Sequence, residues 1–116
     1  MSAQNKTVTY SQGDVILYEG EKSKGFYVLL SGTLGILKNN LKVGEISEKG
    51  TVFGEISTLL DIPRSTTVVA EGEVAVVPIS MSLEEVIRTF PDIARQIMMQ
   101  MAWRIVDLNH RQAICD

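Results

Sequence analysis

Between Phe53 and Ala70 the chain sets a glycine, a proline and a lone cation at positions that few folds accommodate: Phe53-Gly54-Glu55-Ile56-Ser57-Thr58-Leu59-Leu60-Asp61-Ile62-Pro63-Arg64-Ser65-Thr66-Thr67-Val68-Val69-Ala70. The stretch reads as a strand end, a tight turn at Gly54, one or two turns of helix, a Pro-Arg corner and a returning strand. Without a Cβ, Gly54 lets main chain come close to a ligand. The first turn of a short helix leaves N–H groups without intrahelical partners. Arg64 is the only basic residue between Lys49 and Arg88 and lies among Glu55, Asp61, Glu71 and Glu73. A lone guanidinium, several N–H donors and the hydroxyls of Ser65 and Thr66 make a place for one phosphate. Glu55, itself an anion, suits hydroxyl donors such as those of a ribose. Phosphate and ribose in one small loop fit a nucleotide. A second reading has Arg64 and Glu55 closing the loop as an ion pair with no ligand, although desolvation cancels much of the gain from such a pair.

The order Phe53-Gly54-Glu55, an apolar residue, a small residue, several variable positions and then Pro63-Arg64 resembles the phosphate-binding cassette of the cyclic nucleotide-binding domain family. The spacing fits without a gap, and the likeness runs from about Gly13 to Asn109. At Thr66 the family usually has Ala, so this chain brings extra branched volume and a hydroxyl there. The resemblance implies that Phe53 leads into the cassette and that Gly54 and the N–H groups of Ile56 and Ser57 hold a cyclic phosphate. It further implies Arg64 as counter-charge, Ser65 and Thr66 beside the phosphate, Glu55 as acceptor from the ribose 2′-OH, and Ile36 lining the sugar and base pocket. Cyclic AMP is the first choice of ligand, with cyclic GMP as the alternative, because Ser65 can also serve a guanine amino group.

The rest of the chain is consistent with one domain of 116 residues, near the commonest domain size. From Thr7 to about Ile79 short apolar runs alternate with turn residues. Val15–Tyr18, Gly25–Leu30, Thr33–Leu37, Leu41–Ile46 and Thr51–Phe53 are strand candidates, with a hairpin turn at Asn39-Asn40. Thr66–Ala70 and Val74–Ile79 are expected to pair with each other across Glu71-Gly72-Glu73. Seven or eight such strands indicate a mainly β fold, a β-roll or jelly-roll barrel over about 7–80 carrying a short cassette helix.

The period then changes to that of helices, over about 82–114. Ser82-Leu83-Glu84-Glu85 has the form of a capping box, and Pro91 suits a first helical turn. From Asp92 to Ile114 there is neither Gly nor Pro, and Ala94, Met98, Met101, Ile105 and Leu108 step by heptad intervals. This seam either covers the open end of the barrel or pairs with a second chain in a homodimer; Ile93 and Ile97 form another apolar line, expected on the barrel. Pro91-Asp92-Ile93, Gln100-Met101-Ala102 and Arg104 also resemble the family's C-terminal helix. By that likeness Arg104 falls at a phosphate-side position and Asn109 at a base-contacting one, while Leu108 replaces a polar contact. The cassette residues Leu59 and Leu60 and this helix are then expected to move together and report occupancy. Trp103 either stacks on a purine or packs between helices, and His110 reads as solvated.

Several classes are disfavoured. A net charge of −3 and pI near 5.1 argue against a nucleic-acid surface. No apolar run reaches the 18 or so residues that span a bilayer, and no signal peptide is visible. One cysteine, Cys115, and one histidine give no disulfide, triad or zinc site, so neither enzyme chemistry nor a metal or cofactor is expected, and the setting reads as cytoplasmic. A non-binding structural or dimerisation module remains the alternative. The uncapped helical end at Asp116 is consistent with a downstream effector domain.

Overall fold

A computed structural model of the chain describes residues 6–115, apart from the side chains of Leu83 and of 108–115. Its strands are β1 (Val8–Tyr10), β2 (Val15–Leu17), β3 (Phe26–Ser31), β4 (Leu34–Lys38), β5 (Leu41–Ile46), β6 (Val52–Phe53), β7 (Thr67–Ala70) and β8 (Val74–Ile79). The helices are α1 (Glu55–Leu60), α2 (Leu83–Thr89) and α3 (Pro91–Cys115). The chain divides into two units, a β unit ending at Met81 and a helical unit beginning at Ser82.

In the β unit two antiparallel sheets run in the order β1-β8-β3-β6 and β2-β7-β4-β5, the β-roll anticipated from the strand spacing. Period-2 alternation supplies the core: Leu29, Leu34, Val68, Ala70, Val74 and Val76 are buried, and Ile16, Leu17 and Phe53 complete the cluster. Asn39 and Asn40 take φ values of 52° and 66°, the left-handed pair that a two-residue hairpin turn needs. They join β4 to β5, with Lys38 opposite Leu41.

One expected pairing is overturned. β7 and β8 are not hairpin partners: β7 pairs with β2 and β4, while β8 pairs with β1 and β3. The partner of the run 67–79 is the run 26–38, and together they form one antiparallel ribbon bent at its middle. The bend falls where Gly32 and Gly72 adopt φ of 95° and 108° and where the Glu71 N–H donates to the Thr33 carbonyl at 2.9 Å. β7 and β8 each thereby have a neighbour on both edges.

In the helical unit the capping box forms. The Glu85 N–H donates to Ser82 Oγ at 3.2 Å, and the Ser82 N–H donates to Glu85 Oε1 at 3.0 Å. Pro91 opens α3, where its missing N–H costs nothing. Val86 and Ile97 are buried and Ile93 and Ala94 partly so, whereas Met98, Met99, Trp103, Ile105 and Val106 are exposed, Met98 to 66% and Trp103 to 63%. Leu108 of the heptad line, like His110, has its side chain outside the described residues.

Candidate functional site

The site is built around the turn that ends β6. Phe53 lies in the core and stacks on Tyr27, with ring centroids 5.2 Å apart and planes 15° from parallel. Its part is to anchor the strand that delivers the cassette. Gly54 then takes φ of 80°, a conformation that L side chains rarely adopt, and α1 starts. A Cβ at Gly54 would lie 3.1 Å from Arg64 Nη1 and 3.3 Å from Leu17 Cδ1. The space over this glycine is thus taken by the arginine itself, a tighter reason for glycine than ligand approach alone. α1 ends at Asp61, whose φ of 56° reverses the chain while the Ile62 N–H donates to the Ser57 carbonyl at 3.0 Å.

Arg64 is 3% exposed, with Glu55 at 2% and Ser57 at 6% beside it in the cassette. Its main chain is fixed first: the Arg64 N–H donates to the Glu21 carbonyl at 2.9 Å and its carbonyl accepts from the Gly20 N–H at 2.8 Å. Four hydrogen bonds then hold the guanidinium. Nε donates to Ser23 Oγ at 3.0 Å, Nη1 to the Gly54 carbonyl and to Ser57 Oγ at 2.7 Å each, and Nη2 to the Gly25 carbonyl at 2.9 Å. None of these acceptors carries a charge, and none is Glu55. Among the described residues the four hydrogen-bond acceptors of the guanidinium are thus neutral oxygens, and a buried cation in such a setting gains from an added anion.

The surroundings are tied down in turn. Thr58 Oγ1 accepts from the Gly25 N–H at 3.1 Å and lies 2.9 Å from the Gly25 carbonyl and 3.2 Å from that of Gly54. Ser65 is exposed, and its carbonyl accepts from Lys38 Nζ at 2.9 Å. Thr66 is half-buried and leads into β7. Lys38 also pairs with Glu19 at 3.3 Å. Glu19 accepts from the Asn39 N–H at 3.0 Å, while its own N–H donates to Thr67 Oγ1 at 2.9 Å. The Asn39 N–H and then the Lys38 ammonium hold the Glu19 carboxyl below the usual glutamate range.

The anticipated residues therefore divide. Gly54, Ser57 and Arg64 are brought into direct contact, and Glu55 is buried in the first turn of α1. Ile56 is exposed. Ile36 lies on β4 opposite Val68 and Gly44, on the same face as the core residue Leu34. Arg104 is exposed on α3, and the side chain of Asn109 lies outside the described residues. The residues that local reading missed are Ser23, Gly25 and Thr58. The tandem hydroxyls Ser57-Thr58 within one helical turn are a signal for Thr58 alone; no local signal points to Ser23 or Gly25. Among the described residues no group of three or more His, Cys, Asp or Glu is placed to hold a metal, and no helix is long and apolar enough to cross a membrane.

The model of the cyclic nucleotide-binding domain matches residues 7–89, from just before β1 to the end of α2. The chain belongs to the cyclic nucleotide-binding domain family. That family is regulatory and is not itself catalytic. Its relatives include a cAMP-dependent protein kinase regulatory subunit of Debaryomyces hansenii, 38% identical over 76 residues, which is 66% of this chain and 17% of that protein. A cGMP-dependent protein kinase of Toxoplasma gondii is 40% identical over 64 residues, 55% of this chain and 6% of that one. The chain thus matches only a small part of the length of these relatives. Among solved structures, the catabolite activator protein of Thermus thermophilus superimposes with a TM-score of 0.78 at 23% identity, over 97% of this chain and 55% of its own, a likeness of fold. The family match stops short of α3, so the roles of Arg104 and Asn109 rest on the sequence likeness alone.

Proposed function

We propose that this chain is a sensor domain that binds a cyclic nucleotide, cyclic AMP by preference, and reports occupancy through its C-terminal helix to an effector. The observation that carries the reading is the buried Arg64 guanidinium, whose four acceptors are all neutral. In this reading the cyclic phosphate is the missing counter-charge, completed by the main-chain N–H groups of Ile56 and Ser57 and by the hydroxyls of Ser65 and Thr66. Glu55 takes the ribose 2′-OH, and Ile36 lines the sugar and base pocket. Arg104 and Asn109 are assigned to the ligand from the likeness of α3 alone. Kinase relatives that name both nucleotides give cyclic GMP standing as the second ligand to test. The exposed seam of α3 is read as a homodimer contact, and the setting as cytoplasmic.

Calorimetric titration of the purified chain with cyclic AMP and cyclic GMP tests this directly. Arg64→Ala leaves the phosphate without its charged partner, a loss of about 2–5 kcal/mol in comparable truncations. Affinity for the bound nucleotide is expected to fall about 30-fold or more. Unchanged affinity in Arg64→Ala would place the ligand elsewhere. Failure of the wild type to bind either nucleotide would leave the structural-module reading standing.

A further inference from the structure

Arg64 does not reach its position as a free fork. A guanidinium has five N–H donors, and four are engaged before any ligand arrives. Two of the acceptors are the carbonyls of Gly25 and Gly54, from two different loops. Both lie within hydrogen-bond distance of a single hydroxyl, Thr58 Oγ1, which also accepts from the Gly25 N–H. The hydrogen bonds described for Thr58 Oγ1 go to Gly25 and Gly54 and not to the guanidinium itself. It pins the turn at 23–25 to α1, and the two carbonyls converge on Arg64 from either side. Ser23 Oγ, on the same turn, then sets the plane of the guanidinium through Nε.

We infer that Thr58 is a positioning residue for anion binding: its hydroxyl joins the turn at 23–25 to the cassette, so that Arg64 is presented to the phosphate already oriented. The inference rests on the reading of this site as a cyclic phosphate site. Preorganisation of this kind raises affinity by removing the cost of ordering the side chain on binding. One Nη2 proton of Arg64 is left for the ligand, and Ser57, accepting from Nη1, keeps its own hydroxyl proton to donate.

The test uses the whole chain and whichever of cyclic AMP or cyclic GMP the wild type binds. Thr58→Val removes the hydroxyl at nearly constant shape and is expected to weaken binding about ten-fold. Thr58→Ser restores the hydroxyl and recovers most of that loss. In an Arg64→Lys background Thr58→Val costs nothing further, because no fork remains to be oriented; an equal loss in both backgrounds overturns the inference. An independent readout is the Arg64 Nε–H resonance of the ligand-free chain. It is expected to be sharp and slow to exchange in the wild type and in Thr58→Ser, and broadened in Thr58→Val and Ser23→Ala. A wild type that binds while Thr58→Val binds equally well sinks this inference alone. A wild type that binds neither nucleotide sinks the function with it.

Discussion

Gly54 shows how far single residues can be read. Its place between a strand and a short helix marks a tight turn, and the structure makes that turn with a left-handed φ of 80°. The reason it must stay glycine is sharper than backbone freedom, since a methyl there would press on Arg64 Nη1 at 3.1 Å. Gly54→Ala is therefore expected to cost about 1–2 kcal/mol in folding stability from the left-handed conformation alone, measured by urea denaturation. It should also weaken nucleotide binding, because Arg64 is displaced. A variant as stable as the wild type would mean that the turn relaxes freely. Arg64 itself was legible because it is the sole cation in a long acidic stretch. Its acceptors were not: Ser23 and Gly25 stand 41 and 39 residues away along the chain, and no local pattern ties a turn before β3 to a corner before β7. Glu55 was read as a possible partner of Arg64 because opposite charges so close in sequence invite pairing. The four hydrogen bonds described for the guanidinium go to carbonyls and hydroxyls, groups that composition does not single out.

At the scale of elements, nearly every strand was visible as a short apolar run, yet one pairing was misread. Alternation shows that a strand has an inner and an outer face; it does not say which strand lies beside it. Glu71-Gly72-Glu73 looked like a hairpin turn, whereas it carries β7 of one sheet into β8 of the other. The corner is tight enough to test. A Cβ on Gly32, at φ of 95°, would fall on the Glu73 carbonyl oxygen and close to Val74. Gly32→Ala should cost about 2–4 kcal/mol, from left-handed strain plus forced repacking, more than the same change at Gly13, which shares the left-handed strain at φ of 91° but has open space around it. Comparable melting temperatures for the two variants would show that the corner yields. The β4–β5 hairpin offers a pH test. Its Asn39 N–H and Lys38 hold the Glu19 carboxyl below its usual range. A carboxyl lowered on folding stabilises the fold above its unfolded value and loses that contribution as pH falls through the folded value. The stability difference between wild type and Glu19→Gln is thus expected at neutral pH and should shrink on acidification below about pH 4.3. Thermal melts of both chains across that range check it, and a difference that persists unchanged in acid would remove Glu19 from the account.

On the scale of the whole molecule the open question is what the exposed side of α3 meets. Helical periodicity made the 25-residue helix legible, and the heptad line through Met98, Met101 and Ile105 was visible with it. Periodicity marks a face as apolar without naming what covers it. In the chain by itself Met98 and Ile105, seven residues apart, are exposed, as are Met99, Trp103 and Val106, while Ile97 on another side is buried. Soluble chains seldom leave so many apolar side chains together in water without use for them. Knobs at this spacing suit a second helix of the same kind. Between two and three heptads is short for an isolated pair, so the dimer should be concentration-dependent and sensitive to one well-placed charge. Sedimentation of the wild type is expected to show a dimer at tens of micromolar that dissociates on dilution. Ile105→Glu, which opposes two carboxylates across the seam, should shift it to monomer at every concentration tested. Its strands and cassette should remain folded, as judged by an unchanged titration with nucleotide. A wild type that sediments as monomer throughout would remove the homodimer, and the exposed seam would then belong to a partner of another kind.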